Sequence, residues 1–594
     1  MIYSQINKAN KTNYKSAKII FFLWNKFKKK RKIQIICSIF LILGSGISEM
    51  ISLGLVVPFL TILIDPKSLF EIKSLAFIVE FFNIDKLDNL RLTFTFLFGI
   101  SSVFANAIRL LNIWIITNLS QRIGNDLSSE AFYRTLKQPY AIHTSRNSNL
   151  ILNSLTHHVL QTIVAINFSL QLVAAIIILI FLMTTLIFFE PSLAIFSIIL
   201  FSISYLVIGF KFKKKLEENS KKETIITNKI LKIIQESLGS IRDIIINGKT
   251  NYFFKVHKNY DLNLRLLNAE NIFLTSIPRY AMEAIGICFI CIFSYLMILN
   301  SKAENIIPLL GVLALSSQRM LPALYLVFKS WSAIQIAKDS VVELSKLLDQ
   351  PVHQEQIVSV NQKLIFNREI EFKNVGFRYK DDDSIVLKGI NLKIKKGSRV
   401  GIIGETGSGK STTVDILMGL LNPTSGSILI DNKELHDERN PDFLSKWRNI
   451  IAHVPQEIYI SDASFAENIA FGIDSEFIDM KKVKDSAELA RISTFIESTP
   501  NKYRTLLGER GANLSGGQLQ RIGIARSLYL DRNILVFDEA TSSLDTKTED
   551  NIMQSLQKLS KDITIIMISH RHSSLKQCDQ IFLVKDGSIQ LASI

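Results

Sequence analysis

Long apolar stretches constrain this chain more than any other feature of it. The first runs from Ile33 to Ile64. It follows residues 1–32, which hold ten Lys/Arg and no acid and end in Lys28-Lys29-Lys30-Arg31-Lys32. A cleaved signal peptide has an apolar core of only about 7–15 residues. This run is longer, so a retained membrane helix is expected, with its basic N-terminus on the inner side. Further apolar runs occupy roughly 92–118, 163–189, 192–210, 272–299 and 306–330. Each is long enough to cross a hydrocarbon core, which takes about 20 helical residues. Six crossings return the chain to the side on which it began.

The loops give the same orientation. Residues 65–91 hold five acids against four bases, and the turns at Glu190-Pro191 and 300–305 are short. Residues 211–268 hold thirteen Lys/Arg against six Asp/Glu. That asymmetry is the positive-inside pattern. The net charge of +16 is therefore assigned to inner flanks of a membrane protein, and no nucleic-acid partner is expected. With 48% hydrophobic residues, a disordered or linking role is excluded. The four cysteines, Cys37, Cys288, Cys291 and Cys578, are too few for a disulfide scaffold. Cys288 and Cys291 lie inside an apolar run and are read as helix packing.

The two inward connections, about 119–162 and 211–271, are longer than hairpins need. Their helical periodicity predicts membrane helices that continue past the bilayer. Each is expected to carry a short cross-piece, about Pro139–Asn147 in the first and Glu236–Gly248 in the second.

Beyond about residue 360 the composition is that of a soluble domain. Glu371–Val375 and Val400–Ile403 read as strands, with a turn at Asp381-Asp382-Asp383 between them. Directly after the second strand stands Gly404-Glu405-Thr406-Gly407-Ser408-Gly409-Lys410-Ser411, before an apolar helix. Glycines let successive N–H groups curl around a phosphate, and the helix N-terminus adds its dipole. Lys410 supplies a point charge, and the Ser411 hydroxyl can ligate Mg²⁺. Further on, Ile534-Leu535-Val536-Phe537-Asp538-Glu539 is an apolar strand ending in two carboxylates. Asp538 suits a Mg²⁺-water ligand, and Glu539 is placed to polarise an attacking water. Magnesium-assisted phosphoryl transfer needs both functions.

Between these motifs lies Leu514-Ser515-Gly516-Gly517-Gln518, which resembles the signature of ATP-binding cassette (ABC) transporters. Other pieces follow in the family's order. Tyr379 resembles the aromatic that stacks on adenine, and Gln456 of Val-Pro-Gln the Q-loop glutamine beside the Mg²⁺ site. Gly508-Glu509-Arg510-Gly511 resembles the exporter X-loop, Ser543-Leu544-Asp545 the D-loop, and His570 the switch histidine. Leu519 and Ser543 depart from the commonest residues without removing a catalytic group. The resemblance covers essentially the whole chain and is to an exporter half-transporter. It implies an all-α six-helix transmembrane domain, then an α/β P-loop NTPase cassette with an antiparallel β subdomain and a helical subdomain. The expected boundaries are 1–32 for a basic segment, 33–335 for the membrane domain, 336–367 for a linker and 368–594 for the cassette.

The resemblance further implies ATP with Mg²⁺. Residues 404–412, Tyr379 and Asp538 would bind nucleotide, and Ser411, Gln456 and Asp538 would hold the metal. Glu539, His570 and Gln456 would be catalytic. Leu514 to Gln518 and Asp545 would act in trans, from a second copy of the chain. A Lys- and Ile-rich composition points to an AT-rich bacterial genome, hence to the inner membrane with N-terminus and cassette in the cytoplasm.

Cargo must be read from the membrane half. Charges inside crossings are costly and usually face a cavity or a partner; here they are Glu49, Arg109, Arg279, Glu283, Arg319 and Lys329. Arg279 and Glu283 are four apart and can pair along one helix, and Lys329 can snorkel. Arg109 and Arg319 lie well within their runs. Together with Arg279 they are the candidate substrate residues: either they line a cavity for an anionic head group such as pyrophosphate, which guanidinium grips in bidentate fashion, or they are paired structurally or lie in a cytoplasmic extension. Gln138-Pro139-Tyr140, His143, Arg146-Asn147-Ser148 and Ser240-Ile241-Arg242-Asp243 are similar to the coupling regions of lipid-linked oligosaccharide flippases. The segment 65–91, with Leu69, Phe70, Phe77, Phe81 and Phe82, looks like their external helix. The expected partners are membrane lipid and an anionic lipid-linked glycan. Export of another lipid or a peptide, and an ATP-gated channel or regulator on the same scaffold, stand as alternatives.

Overall fold

The computed structural model describes residues 23–64, 87–189, 191–300, 306–352, 364–379, 384–437, 439–540, 546–557, 562–569, 575 and 578–592. The Asp381–Asp383 turn and most of the 65–91 segment lie outside the described residues. The chain divides into two compact units. One is Met1–Gln138 with Arg146–Val352, and the other is Pro139–Ser145 with His353–Ile594.

The helical elements of the first part of the chain are α1 Lys29–Gly54, α2 Val56–Ile64, α3 Leu87–Leu136, α4 Tyr140–Ser145, α5 Ser148–Asn153, α6 Val159–Phe189, α7 Pro191–Gly239, α8 Ile241–Ile246, α9 Thr250–Asn300 and α10 Ile306–Leu348. A single π-helical turn, Ser154–His158, joins α5 to α6. Five helical stretches among the described residues are long and apolar enough to cross a membrane: Lys29–Leu63, Arg91–Leu136, Ser148–Phe188, Thr250–Ile292 and Ser316–Leu348. The remaining long helix, α7, spans 49 residues. The helix α3 has 50 residues, about 75 Å at 1.5 Å per residue. That is more than twice a hydrocarbon core of about 30 Å, so the long helices do extend past any bilayer. The short helices α4 and α8 fall inside the two expected cross-pieces. The last helix continues to Leu348, well into the stretch read as a linker from 336. Pro278 and Pro322 both sit inside helices.

Close packing of these helices relies on small residues, as it does where hydrocarbon surrounds them. A Cβ on Gly46 would lie 2.3 Å from Phe181, and one on Gly124 would lie 2.2 Å from Ile163. Cys288 and Cys291 differ from the reading as packed residues. All four cysteines are free, and both of these are exposed on α9 in the single chain. An apolar surface that the surrounding hydrocarbon covers needs no packing partner within the chain.

The cassette begins with β1 Glu369–Phe377, β2 Leu387–Lys395 and β3 Arg399–Gly404, then α11 Lys410–Leu417, β4 Ser425–Ile430, β5 Lys433–Glu434, α12 Pro441–Arg448 and β6 Ile451–Val454. A helical section follows, with α13 Phe465–Ile469, α14 Met480–Leu489, α15 Ser493–Ser498 and α16 Gly516–Tyr529. The chain then returns through β7 Ile534–Asp538, α17 Thr546–Gln557, β8 Thr564–Ile568, β9 Gln580–Lys585 and β10 Ser588–Ala592. One sheet of four strands has the order β2-β1-β4-β5, antiparallel throughout. The other, of six strands, has the order β10-β9-β3-β8-β7-β6. It is parallel except at β10.

The six-stranded sheet is buried on both faces, which explains its unbroken apolar strands. Ile534 and Val536 of β7 join Val400, Ile402, Ile566 and Ile568 in one core. Their alternates Leu535 and Phe537 join Ile565 and Met567 in the other. In such sheets ligands bind at the carboxyl ends of the strands, and both the glycine loop after β3 and the carboxylates ending β7 lie at that edge.

Candidate functional site

The loop 404–409 joins β3 to α11 through backbone that side chains would spoil. Gly409 caps α11 at φ 106°, in the left-handed region that glycine enters without steric cost. A Cβ on Gly404 would lie 2.2 Å from the Val584 carbonyl oxygen. Lys410 folds back over the loop, its Nζ donating to the carbonyls of Gly404 at 2.9 Å and Glu405 at 2.8 Å. Burial holds its pKa below lysine's ordinary value, against the opposite pull of Glu539 and Asp538. The Ser408 hydroxyl is buried without a hydrogen-bond partner among the described residues, as expected of a loop shaped for an anion.

Pairing of β7 with β8 sets Asp538 opposite Ile568, and β8 with β3 sets Ile568 opposite Ile402. Asp538 thereby reaches Ser411; burial first, then neighbouring Glu539, holds its carboxyl above the ordinary carboxylate range, against the opposite pull of the Ser411 hydrogen bond and of Lys410. Glu539 follows at φ 48°, a strained conformation for a residue with a side chain. Its N–H donates to Ile568 at 3.1 Å, and its Oε2 accepts from Gln456 Nε2 at 2.9 Å. Gln456 comes two residues after β6, and β6 lies beside β7 with Val454 opposite Phe537. Loop glycines, Lys410, Ser411, Asp538, Glu539 and Gln456 are thus brought together. Tyr379 is half exposed at 52%, and its hydroxyl lies 3.0 Å from that of Thr412. Phe377 braces it edge-on at 5.0 Å.

Ser515 caps α16 in a reciprocal box with Gln518. Ser515 N–H donates to Gln518 Oε1 at 2.8 Å, and Gln518 N–H donates to Ser515 Oγ at 3.3 Å. Leu514 packs into the helical-section core. Gln518 and Leu514 therefore build the turn, and Ser515, Gly516 and Gly517 form the helix start that it presents. His570 and Asp545 lie outside the described residues.

Two features of the site were not read from the sequence. Asp415 sits one turn after Ser411, and burial together with Asp538 pushes its carboxyl up to about 6. The signal was available, since residues four apart share a helix face. The other feature is Arg526 of α16. It donates to the carbonyls of Asn468 at 2.9 Å and Tyr459 at 3.1 Å and lies over Phe471 at 4.6 Å. It ties the signature helix to the segment that follows Gln456, and no local pattern foretold this.

Asp415 gives a pH prediction. Its raised pKa means that the folded protein keeps a proton that the unfolded chain loses. Stability therefore falls as pH rises from about 4 through about 6, and the deficit is complete above that. Asp415→Asn should stabilise the nucleotide-free cassette by about 1–2 kcal/mol at pH 8, a figure discounted for partial exposure. The gain should vanish towards pH 4. Thermal unfolding followed by Trp447, which is buried in the cassette core, checks this. A gain independent of pH would refute it.

In the membrane unit the arginines differ. Arg319 donates from Nη1 to Glu49 Oε2 at 2.7 Å, and from Nη2 to Ser52 Oγ at 2.9 Å and Ser102 Oγ at 3.2 Å. Arg279 pairs with Glu283 at 3.0 Å and lies over Tyr280 and Tyr325. Arg109, half-buried on α3, has no ion pair among the described residues.

Two family models match this chain. The model described as the ABC transporter transmembrane region matches residues 35–331, and that described as ABC transporter matches residues 387–542. The chain belongs to the ABC transporter family. Over 95% of its length this ABC transporter superposes, with a TM-score of 0.74 and 22% identity, on 94% of a solved bacterial Atm1-family ABC exporter with ATP bound. The likeness gives it an exporter fold. It is 40% identical over 276 residues to the leukotoxin translocation ATP-binding protein LktB of Mannheimia glucosida, which covers 46% of this chain and 38% of that protein. It is 37% identical over 258 residues to the ATP-dependent lipid A-core flippase of Chromohalobacter salexigens, which covers 43% of each. Each match spans only about two fifths of the relative's own length.

Nucleotide and metal fit these residues. No group of three His, Cys, Asp or Glu able to hold a metal occurs among the described residues. Mg²⁺ bound by a hydroxyl, one carboxylate and phosphate oxygens needs no such group, and Ser411 and Asp538 meet that description.

Proposed function

We propose that the chain is one half of an ATP-driven exporter, in which two copies carry an anionic, lipid-linked glycan from the inner to the outer leaflet of a bacterial inner membrane. The observation supporting ATP-driven work is the set assembled at the carboxyl edge of the six-stranded sheet: a phosphate loop with Lys410, the Ser411–Asp538 pair, and Glu539 held by Gln456 at 2.9 Å. Loop N–H groups and Lys410 bind the phosphates. Ser411 and Asp538 would hold Mg²⁺, with Gln456 beside them, and the bound ion supplies charge neutralisation. Glu539 orients the attacking water and takes up its proton, the task of a general base. Ser515, Gly516 and Gly517 complete the pocket of the other copy, with helix N–H donors aimed at phosphate. Asp545 and His570 are assigned to the same closed state. ATP then favours closure by its differential contacts, and hydrolysis allows reopening.

For the cargo, the supporting observation is Arg109, a half-buried cation within the apolar run of α3 and without an ion pair among the described residues. Such residues mark substrate paths. Arg319 and Arg279 already have carboxylate partners and are given structural roles. ATP hydrolysis by protein in nanodiscs should be stimulated by a polyprenyl-pyrophosphate glycan and not by a neutral polyprenol. In Arg109→Gln the stimulation ratio should fall to near one. Equal stimulation by the neutral polyprenol, or full stimulation of Arg109→Gln, would remove the anionic cargo.

A further inference from the structure

We propose that a groove between α6, α7 and α10 binds an anionic membrane phospholipid, with one hydrocarbon chain along α7 and the phosphate at Lys213. The inference needs these helices to lie in a bilayer and does not depend on the cargo. The cavity has a volume of about 940 Å³ and runs from Phe201 to Lys213 along α7. Twelve helical residues span about 18 Å, close to one leaflet's share, about 15 Å, of the hydrocarbon core.

Its chemistry is graded from end to end. Leu179, Met183, Leu206 and Phe328 are among the residues that line it, and no acid does. At one end stand Lys213 and Trp331, the amphipathic pairing found where hydrocarbon gives way to head groups. Lys213 belongs to the run Lys211-Phe212-Lys213-Lys214-Lys215. In that run Lys215 is engaged by Glu270 at 2.9 Å, whereas Lys213 makes no ion pair among the described residues. Tyr205 also lines the groove. Its hydroxyl is buried with no partner among the described residues.

The apolar lining with its one basic end identifies the occupant. Leu206 and Phe210 are exposed at 59% and 76%, so this chain by itself leaves the flank of the groove uncovered. An apolar cavity of this size gains nothing from water, and left empty it forfeits dispersion contacts along its walls. A lipid chain fills it from the adjoining medium, and the basic end selects the head group.

Trp331 reports occupancy directly. The chain has four tryptophans, Trp24, Trp114, Trp331 and Trp447. In the full-length variant Trp24→Phe/Trp114→Phe, Trp331 remains, and buried Trp447 supplies a constant background. Proteoliposomes would contain phosphatidylglycerol or phosphatidylcholine with brominated acyl chains, which quench at short range. Brominated phosphatidylglycerol should occupy the site near Trp331 about fivefold more readily than phosphatidylcholine, the factor one lysine supplies near an anionic lipid. Lys213→Gln should abolish that preference while quenching by brominated phosphatidylcholine persists, which shows the groove still formed. In Trp24→Phe/Trp331→Phe, exposed Trp114 should be quenched equally by both lipids. Equal quenching of Trp331 by both lipids, or an unchanged preference in Lys213→Gln, would overturn the proposal. So would an absence of quenching by either lipid, which would mean that protein fills the groove.

Discussion

Glu539→Gln should lower ATP turnover by about 10²–10⁴-fold, the usual contribution of a positioned general base, and leave nucleotide binding near the wild-type level. The argument rests on what the amide keeps and what it loses. Glutamine has the same shape and can still meet Gln456, which now reaches Glu539 at 2.9 Å, but it cannot accept the proton of an attacking water. The groups that grip phosphate are elsewhere, in the glycine loop and at Lys410, whose Nζ lies against the loop carbonyls of Gly404 and Glu405. Binding and hydrolysis should therefore separate in this variant. Steady-state turnover compared with equilibrium binding of ATP checks it. A variant turning over at a tenth of the wild-type rate or faster would take the base assignment away from Glu539.

Breaking the Glu49–Arg319 pair should cost about 3–5 kcal/mol of stability, because it leaves a buried guanidinium without its counter-charge. Glu49 is 4% exposed, and the pair is closed by Ser52 and Ser102. Glu49→Ala removes the carboxylate and leaves the charge. The double variant Glu49→Leu/Arg319→Met removes both and should unfold within about 1 kcal/mol of wild type, or later than it, as buried pairs replaced by apolar residues often do. Thermal unfolding of the single and double variants in detergent separates these outcomes. If Glu49→Ala unfolds with the wild type, the pair is not the structural clamp described here, and Arg319 returns as a group free to meet cargo.

The cassette was legible because its chemistry is local. The glycine loop needs consecutive residues in conformations that few others adopt. The strand before Asp538 is apolar on both faces because two cores cover it, so it reads as an unbroken run. Five of the six expected membrane helices were legible for the same reason: hydrocarbon demands length and apolarity within one segment. The short helices α4 and α8 fall where the long inward connections predicted cross-pieces. Pairings between distant segments did not show. Arg319 and Glu49 are 270 residues apart, and either could as well have faced a cavity. Asn468 and Arg526 meet across 58 residues, and the π-helical turn at Ser154–His158 carries no pattern that separates it from ordinary helix. The exposed Cys288 and Cys291 were misjudged because an apolar run says that a residue avoids water, and says nothing about whether protein or lipid covers it.

On the function proposed, ATP hydrolysis at this cassette moves an anionic lipid-linked glycan across the bilayer. The direct measurement is leaflet exchange of a fluorescent polyprenyl-pyrophosphate glycan in proteoliposomes of the full-length protein. The label left on the accessible face is quenched chemically before and after ATP is added. Wild-type protein should move the label only when ATP is present, and Glu539→Gln should not move it at all. Movement without ATP, or movement by Glu539→Gln at the wild-type rate, would contradict the account.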